Sequence, residues 1–244
     1  MKLSVVIPFY NEENMIQKMY DELVKEINQI TKAEFEIIFI NDGSKDRTFE
    51  RMLAIAAGDS RVKYISFSRN FGKEAGTIAG LEYATGEAVI LMDGDLQHPP
   101  AMLPQMIEAY EQGYDVVSAR RTRTGEKRHR TFLAKHFYKL ANKMMDIELM
   151  DGVSEFRLFS RKVVNAIISM QEYNRFSKGI FAWIGFNEKV IEYENQVRTV
   201  GETKYSLKFS LNYAIQGILS FNDKPLRMCI NFGLFCLLIS LAYV

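Results

Sequence analysis

Cysteine is scarce: the 244 residues hold two, Cys229 and Cys236, too few for a disulfide framework. They stand seven residues apart in an apolar stretch, on one helical face, and read as free thiols in keeping with a reducing compartment. Three histidines without clustered cysteines leave no ordinary zinc site. Neither Gly-x-Gly-x-x-Gly nor Gly-x-x-x-x-Gly-Lys-Ser/Thr occurs, which argues against a dinucleotide-binding Rossmann protein and a P-loop enzyme. No Ser/His/Asp arrangement is evident. Neither sign of charge dominates: 31 Lys and Arg face 30 Asp and Glu, a net of +1 that gives no global pull toward nucleic acid. The opening MKLSVVIPFYNEE has too short an apolar run, and no small-residue cleavage site, for a signal peptide. Internal repeats, low-complexity tracts and Gly/Ser linkers are all lacking.

What is present is an ordinary globular balance, 48% apolar and 25% charged, long enough for one large domain or two small ones. Short β-rich runs at Leu3–Phe9, Phe35–Ile40, Val62–Phe67, Ala88–Met92 and Asp115–Ala119 alternate with helical patterns. The helices are expected near Glu12–Ile30, Asp46–Ala57, Lys73–Ala84 and Pro100–Gln112. That alternation predicts βαβ units, an α/β fold with a mostly parallel sheet covered by helices on both faces. After Ala119 come a basic stretch, a helix over Phe132–Met145 and a mixed strand at Phe156–Phe159, read as a second half built onto the first within one domain.

Ligands of such sheets collect outside the carboxyl ends of the strands, and four strand ends carry unusual polar residues. The strongest is Asp93-Gly94-Asp95-Leu96-Gln97. If extended geometry persists, Asp93 and Asp95 project to one side, where they repel unless a cation intervenes or one takes up a proton. Mg²⁺ or Mn²⁺ suits such a pair, with Gln97 adding a carbonyl oxygen or holding a metal-bound water. Asn41-Asp42-Gly43-Ser44 ends the second strand as a turn in which Asp42 could accept from a nucleotide base, with Asp46 capping the next helix. At the first strand end Asn11 would cap a helix with Glu12 and Glu13 in its first turn, and Glu12 could equally accept from ribose hydroxyls. At the third, Gly72, Gly76 and Gly80 at spacing four suit close helix–sheet packing, with Arg69 and Lys73 as phosphate neighbours.

The neutral total hides an asymmetry. Residues 117–143 hold nine Lys and Arg against Glu126 alone, a net of +8, so the remainder carries −7. Without a nucleic-acid motif beside it, this stretch suits anionic lipid headgroups or a lipid phosphate. Arg198 and Lys204 sit in a second basic loop suited to phosphate. From Met228 to Val244 seventeen residues pass without a charge, preceded by Lys224 and Arg227, the pattern of a membrane helix entered from its cytoplasmic side and cut short. Tyr205–Phe221 suits a helix lying along the interface. The expected organisation is therefore a cytosolic body over 1–204, divided at 119/120, a juxtamembrane helix over 205–224 and a membrane segment over 226–244.

Taken in order, VVIPFYNEE, NDGSKDRT, SRNFGKEAGTIAGLEYATGEAVILMDGDLQHPP, SEFRLFSR, RFSKGIFAWIGF and VGETKYSL resemble a family 2 glycosyltransferase of the polyprenyl-phosphate branch. That branch includes bactoprenol glucosyltransferase and dolichyl-phosphate mannose synthase. The resemblance covers nearly the whole chain. It implies a GT-A nucleotide-sugar fold, a divalent Mg²⁺ or Mn²⁺, and inversion at the sugar carbon. By the same resemblance Pro8, Tyr10, Glu12 and Asp42 line the nucleoside pocket with Asp93, while Asp93, Asp95 and Gln97 surround metal and diphosphate. Arg120, Arg128, Arg198 and Lys204 are the implied phosphate-binding cations, and Asp95 and Glu155 the catalytic acids.

The implied reaction moves a hexose, glucose by likeness to the bactoprenol branch, from a UDP-sugar to undecaprenyl phosphate at the cytoplasmic membrane face. A GDP-mannose donor, a processive synthase and a non-catalytic nucleotide-sugar-binding protein are the alternatives. Trp183 lies in Phe-Ala-Trp rather than the Gln-x-x-Arg-Trp of processive enzymes. Membrane-tethered relatives associate, so a homo-oligomer is a further implied partner. The chain departs from the pattern in carrying Glu155 where relatives commonly have Asp before Phe-Arg-Leu, so either the role tolerates Glu or activity is weakened. Relatives usually continue into two or more membrane helices, which makes Val244 look like a truncation.

Overall fold

The computed structural model describes residues 1–122, 150–172, 175–194 and 224–243, together with 142, 145, 147, 217 and 220–222. Seven strands form one sheet: β1 (Lys2–Phe9), β2 (Glu34–Asn41), β3 (Val62–Ser66), β4 (Ala88–Leu91), β5 (Val116–Arg121), β6 (Val153–Ser160) and β7 (Glu188–Tyr193). Their order across the sheet is β3-β2-β1-β4-β6-β5-β7. The four on the β3 side are mutually parallel, with Val5 facing Ile37 and Ile90. Only β6 runs against its neighbours, pairing antiparallel with β4 and β5, while β5 and β7 pair parallel. The alternation of strand and helix therefore yields the expected mostly parallel sheet, and the mixed run near Phe156 becomes the reversed strand at its centre.

Both faces are covered. Leu3, Val5, Ile7 and Phe9 point from β1 into an apolar core with Ile16, Met19 and Leu23 of α1 (Ile16–Ile27), Met52 of α2 (Thr48–Gly58), and Leu103, Met106 and Ile107 of α4 (Leu103–Glu111). A short 3-10 turn, Pro100–Met102, leads into α4. On the opposite face lies α3 (Lys73–Tyr83), and α5 (Arg161–Ser169) lies beside it. A Cβ on Gly80 would lie 2.2 Å from Cγ1 of Val6, so only hydrogen permits α3 to sit this close. Gly76 also faces the sheet, over Pro8 and Ile40, but Gly72 packs on nothing within 4 Å and serves instead at φ +93°, just before the helix begins. The glycine spacing thus serves packing at two positions and backbone turning at the third.

One buried charge belongs to the scaffold. Glu36 lies in β2 beside Ser4 of β1 and is 3% exposed. Its carboxylate accepts from Ser4 Oγ at 2.6 Å, Thr85 N at 2.6 Å and Lys63 Nζ at 2.8 Å. Burial opposes its ionisation, but those donors outweigh burial and hold the carboxyl far below the usual carboxylate range.

The contacts divide the chain into two compact units. The sheet and its helices form the first. In the second, Met145, Ile147 and Phe176 cluster with Ala182 and Phe221 around α6 (Ser177–Trp183). This unit also contains α7 (Lys224–Tyr243), whose stretch Leu226–Tyr243 is 18 residues long with mean hydropathy 1.8 and is exposed throughout. Among the described residues it is the one helix long and apolar enough to cross a membrane. Cys229 and Cys236 are free and exposed on it. The helix expected over 132–145 and most of the juxtamembrane segment lie outside the described residues.

Candidate active site

The first two strand ends are tied to each other. Asn11 adopts φ +50° and does not cap α1, which starts later, at Ile16. Instead its Oδ1 accepts from Lys45 N at 2.8 Å, while its own N–H donates to Ser44 Oγ at 3.0 Å. The N–H groups of Glu12 and Glu13 donate to Thr48 Oγ1 and Asp46 Oδ2, and Arg47 N donates back to a Glu13 carboxylate oxygen. Asp46 also accepts from Thr48 N at 3.0 Å, but the N-cap of α2 is Arg47, so Asp46 ties the first helical N–H from one residue before the capping position. Asn11 and Glu13 therefore serve as loop ties rather than helix-start residues. Pro8, Tyr10 and Glu12 are half-buried at this end of the sheet.

Asp42 is 3% exposed, and its carboxylate holds the loop that follows β3. It accepts from Asn70 Nδ2 at 2.8 Å, Phe71 N at 2.7 Å and Gly72 N at 3.0 Å. Burial pushes its pKa up, opposed by the two backbone donors. Outside it, Phe71 is half exposed, edge-on to Phe67 with the Arg69 guanidinium over its ring at 4.8 Å.

The strand before the acidic motif ends at Leu91, so Asp93 and Asp95 stand in the turn that follows it and not on the pleat. Gly94 sits against Phe9, where a Cβ would lie 2.3 Å from the ring. Leu96 takes φ +60°, and Gln97 N donates to Asp95 Oδ1 at 3.1 Å. The next residue, His98, was not singled out by its sequence context. Its Nδ1 accepts the backbone N–H of Asp93 at 2.9 Å, and its ring stacks on Phe156 of β6 with centroids 5.2 Å apart. Burial lowers its pKa and the Lys73 charge adds to that, against the pull of Asp93, so near neutrality the imidazole is uncharged with its proton on Nε2, 3.7 Å from Asp93 Oδ2.

A cation does stand at the acids, and it is the protein's own. Lys73, the first residue of α3, places Nζ 2.5 Å from Asp93 Oδ1 and 2.6 Å from Glu155 Oε2. Burial works against the ammonium, but the two carboxylates outweigh it and hold its pKa well above the ordinary lysine range. Read in the sequence as a phosphate neighbour, Lys73 joins the acidic turn after β4 to the acid of the reversed strand β6. Tyr193, at the end of β7, is buried there too; burial raises its pKa, against a hydrogen bond with Ser154 and the Arg121 charge, with a smaller upward push from Asp93 and Asp95.

Of the anticipated phosphate-binding cations, Arg120 pairs with Glu192, the residue facing it on β7. Both side chains are about half exposed, and exposed pairs contribute only about 0–1 kcal/mol, so a phosphate can compete for this arginine. Arg128, Arg198 and Lys204 lie outside the described residues, as does most of the basic stretch.

Among the described residues no group of three or more His, Cys, Asp and Glu is arranged to hold a metal ion. Asp93, Asp95 and Gln97, which share one turn after β4, offer the oxygen donors of a different arrangement. An oxygen-seeking divalent ion is commonly held by one or two carboxylates and takes further oxygens from substrate phosphates and water.

The profile of glycosyl transferase family 2 matches residues 4–168, and the chain belongs to that family. CsbB of Bacillus subtilis (strain 168), itself named only as a candidate glycosyltransferase, is 50% identical over 242 residues, covering 99% of this chain and 73% of its own. The bactoprenol glucosyl transferase of Shigella phage SfX is 43% identical over 244 residues, covering all of this chain and 80% of its own. In structure, glucosyl-3-phosphoglycerate synthase of Mycobacterium tuberculosis, solved with Mn²⁺, UDP-glucose and phosphoglyceric acid, superposes with a TM-score of 0.55 at 19% identity. The match covers 89% of this chain and 77% of that one. The architecture is the GT-A fold.

Proposed function

We propose that this protein transfers a glucose from UDP-glucose to a polyprenyl phosphate, with inversion at the anomeric carbon, at the cytoplasmic face of a membrane. The observation that carries the reading is the meeting of Asp93 and Glu155 on one ammonium at the carboxyl end of β4. Donor-side and acceptor-side acids lie within reach of a single reacting centre. The 43% identity to a bactoprenol glucosyl transferase over the full length supports the substrate pair.

Pro8, Tyr10, Glu12 and Asp42 form the nucleoside side, with Asp42 shaping the loop against which the base would lie. Asp93 and Asp95, with Gln97, would hold Mg²⁺ or Mn²⁺ beside the diphosphate. Such an ion, when bound, neutralises charge developing on the leaving diphosphate. The lipid phosphate is anionic near neutral pH, so its oxygen needs little help from a base. That oxygen forms the bond to the anomeric carbon as the bond to the β-phosphate oxygen breaks, and UDP leaves with the electron pair. The protein's work is to hold two anions in line. Arg120, Arg128, Arg198 and Lys204 are assigned to the phosphates, Asp95 and Glu155 to the reacting centre, and α7 to the membrane. The body over 1–204 would then face the cytosol, with 205–224 along the interface and 226–244 in the bilayer.

The test is a donor panel, UDP-glucose, UDP-galactose and GDP-mannose, with short-chain polyprenyl phosphate and divalent metal, following glycolipid formation. The expected result is product from UDP-glucose that falls at least about a hundredfold in Asp95→Asn. Product from GDP-mannose alone, or full turnover by the variant, would reject the reading.

A further inference from the structure

We propose that Lys73 is a positioning residue, the shared counter-cation of the donor-side and acceptor-side acids, which a divalent ion displaces from Asp93 and so commits to Glu155. The inference rests on the metal reading of Asp93 and Asp95 given above, and goes beyond it in assigning a role to the lysine.

The argument starts from geometry. One ammonium lies 2.5 Å from Asp93 Oδ1 and 2.6 Å from Glu155 Oε2. The other Asp93 oxygen faces His98 Nε2 at 3.7 Å. An ion on either oxygen, at the roughly 2.0–2.1 Å typical of Mg²⁺, would stand only a few ångströms from Nζ, where like charges repel strongly. One cation must yield, and the lysine can. Its backbone is fixed, because the loop leading into it hangs on the Asp42 carboxylate through Asn70, Phe71 and Gly72. Its side chain is long and flexible, and it already touches Glu155. Glu155 in turn stands on β6, two residues before its pairing with β4 begins and where its register with β5 shifts between Ser118 and Arg120.

A functional consequence follows. Before metal and donor arrive, Lys73 divides its charge between two acids. Afterwards it belongs to Glu155 and masks a carboxylate that would otherwise repel an incoming phosphate. Donor loading thereby prepares the acceptor side.

The experiment measures Mn²⁺ affinity by electron paramagnetic resonance, using the full chain in detergent with UDP present. Lys73→Met is expected to bind Mn²⁺ about tenfold more tightly than the parent, a gain that a merely structural lysine would not produce. Lys73→Gln, which keeps a donor between the carboxylates without the charge, carries the same expectation should the methionine variant fold poorly. Lys73→Arg stays near the parent. Glu155→Gln weakens binding, and does so by a larger factor with Lys73 present than in the Lys73→Met background.

Unchanged or weaker binding in both neutral variants, or an equal Glu155→Gln effect in both backgrounds, would overturn the proposal. If Asp95→Asn weakens Mn²⁺ binding while both neutral variants fail to tighten it, only the lysine proposal falls. No Mn²⁺ binding by the parent would end the metal reading and this one together.

Discussion

His98 accepts the backbone N–H of Asp93 through Nδ1 at 2.9 Å while its ring lies flat on Phe156, so one side chain fixes the acidic turn to the reversed strand. Replacing it leaves a buried donor unmet and a void beside Phe156. His98→Ala should cost about 2–4 kcal/mol of stability and lower turnover as the Asp93 turn loosens. His98→Asn, able to accept the same N–H, should recover part of both. Thermal melts and glycolipid assays on the two variants check this, and equal behaviour of the two would count against it.

Asp42 satisfies three donors of the loop after β3. Asp42→Ala strands them and is expected to lose about 2–4 kcal/mol, with weaker UDP binding because the loop bordering the nucleoside side loses its hold. Isothermal titration with UDP, beside a denaturation curve, separates the two effects.

Helix α3 rides on Gly80 against Val6. Gly80→Ala forces a Cβ to within 2.2 Å of a valine methyl, so the helix must lift. A loss of about 1–3 kcal/mol is expected, and a raised melting temperature would show that the contact is not as described.

The acid limb of stability includes a contribution from Asp59. The Arg61 guanidinium, against opposing burial, together with Tyr20, holds its carboxyl at about 2, below the ordinary 3.8. Because the folded value is depressed, the contribution is present above about pH 5 and is lost as pH falls through about 2. Allowing for solvent screening it is about 1–2 kcal/mol. Urea denaturation of the parent and Asp59→Asn should therefore differ at pH 6 and approach each other as pH falls below about 2.

Much of the fold was legible because each strand is a short apolar run ending in turn residues. Leu3–Phe9 and Phe35–Ile40 fall within a residue of the observed β1 and β2. The reversal of β6 was not legible, since a strand's direction depends on partners distant in sequence. The same holds for the site. Asp93 and Asp95 stand out by chemistry and by following a strand, but the bond from Asp93 to His98 and the bridge from Lys73 to Glu155 arise only in three dimensions. Lys73 reads as a phosphate neighbour because an isolated lysine beside glycines shows its charge; its two acid partners are not visible in sequence. Asn11 looked like a helix cap, although its left-handed backbone turns it toward Lys45. His98 carried no signal in sequence, since its bond to the Asp93 N–H forms only once the turn is folded.

The most direct measurement of the central claim is UDP release from UDP-glucose by the purified full chain, with polyprenyl phosphate and Mn²⁺ each added or withheld. The account predicts release only when both are present, accompanied by an equal amount of glycolipid. Release that ignores the lipid phosphate, or that persists in chelator, would contradict it.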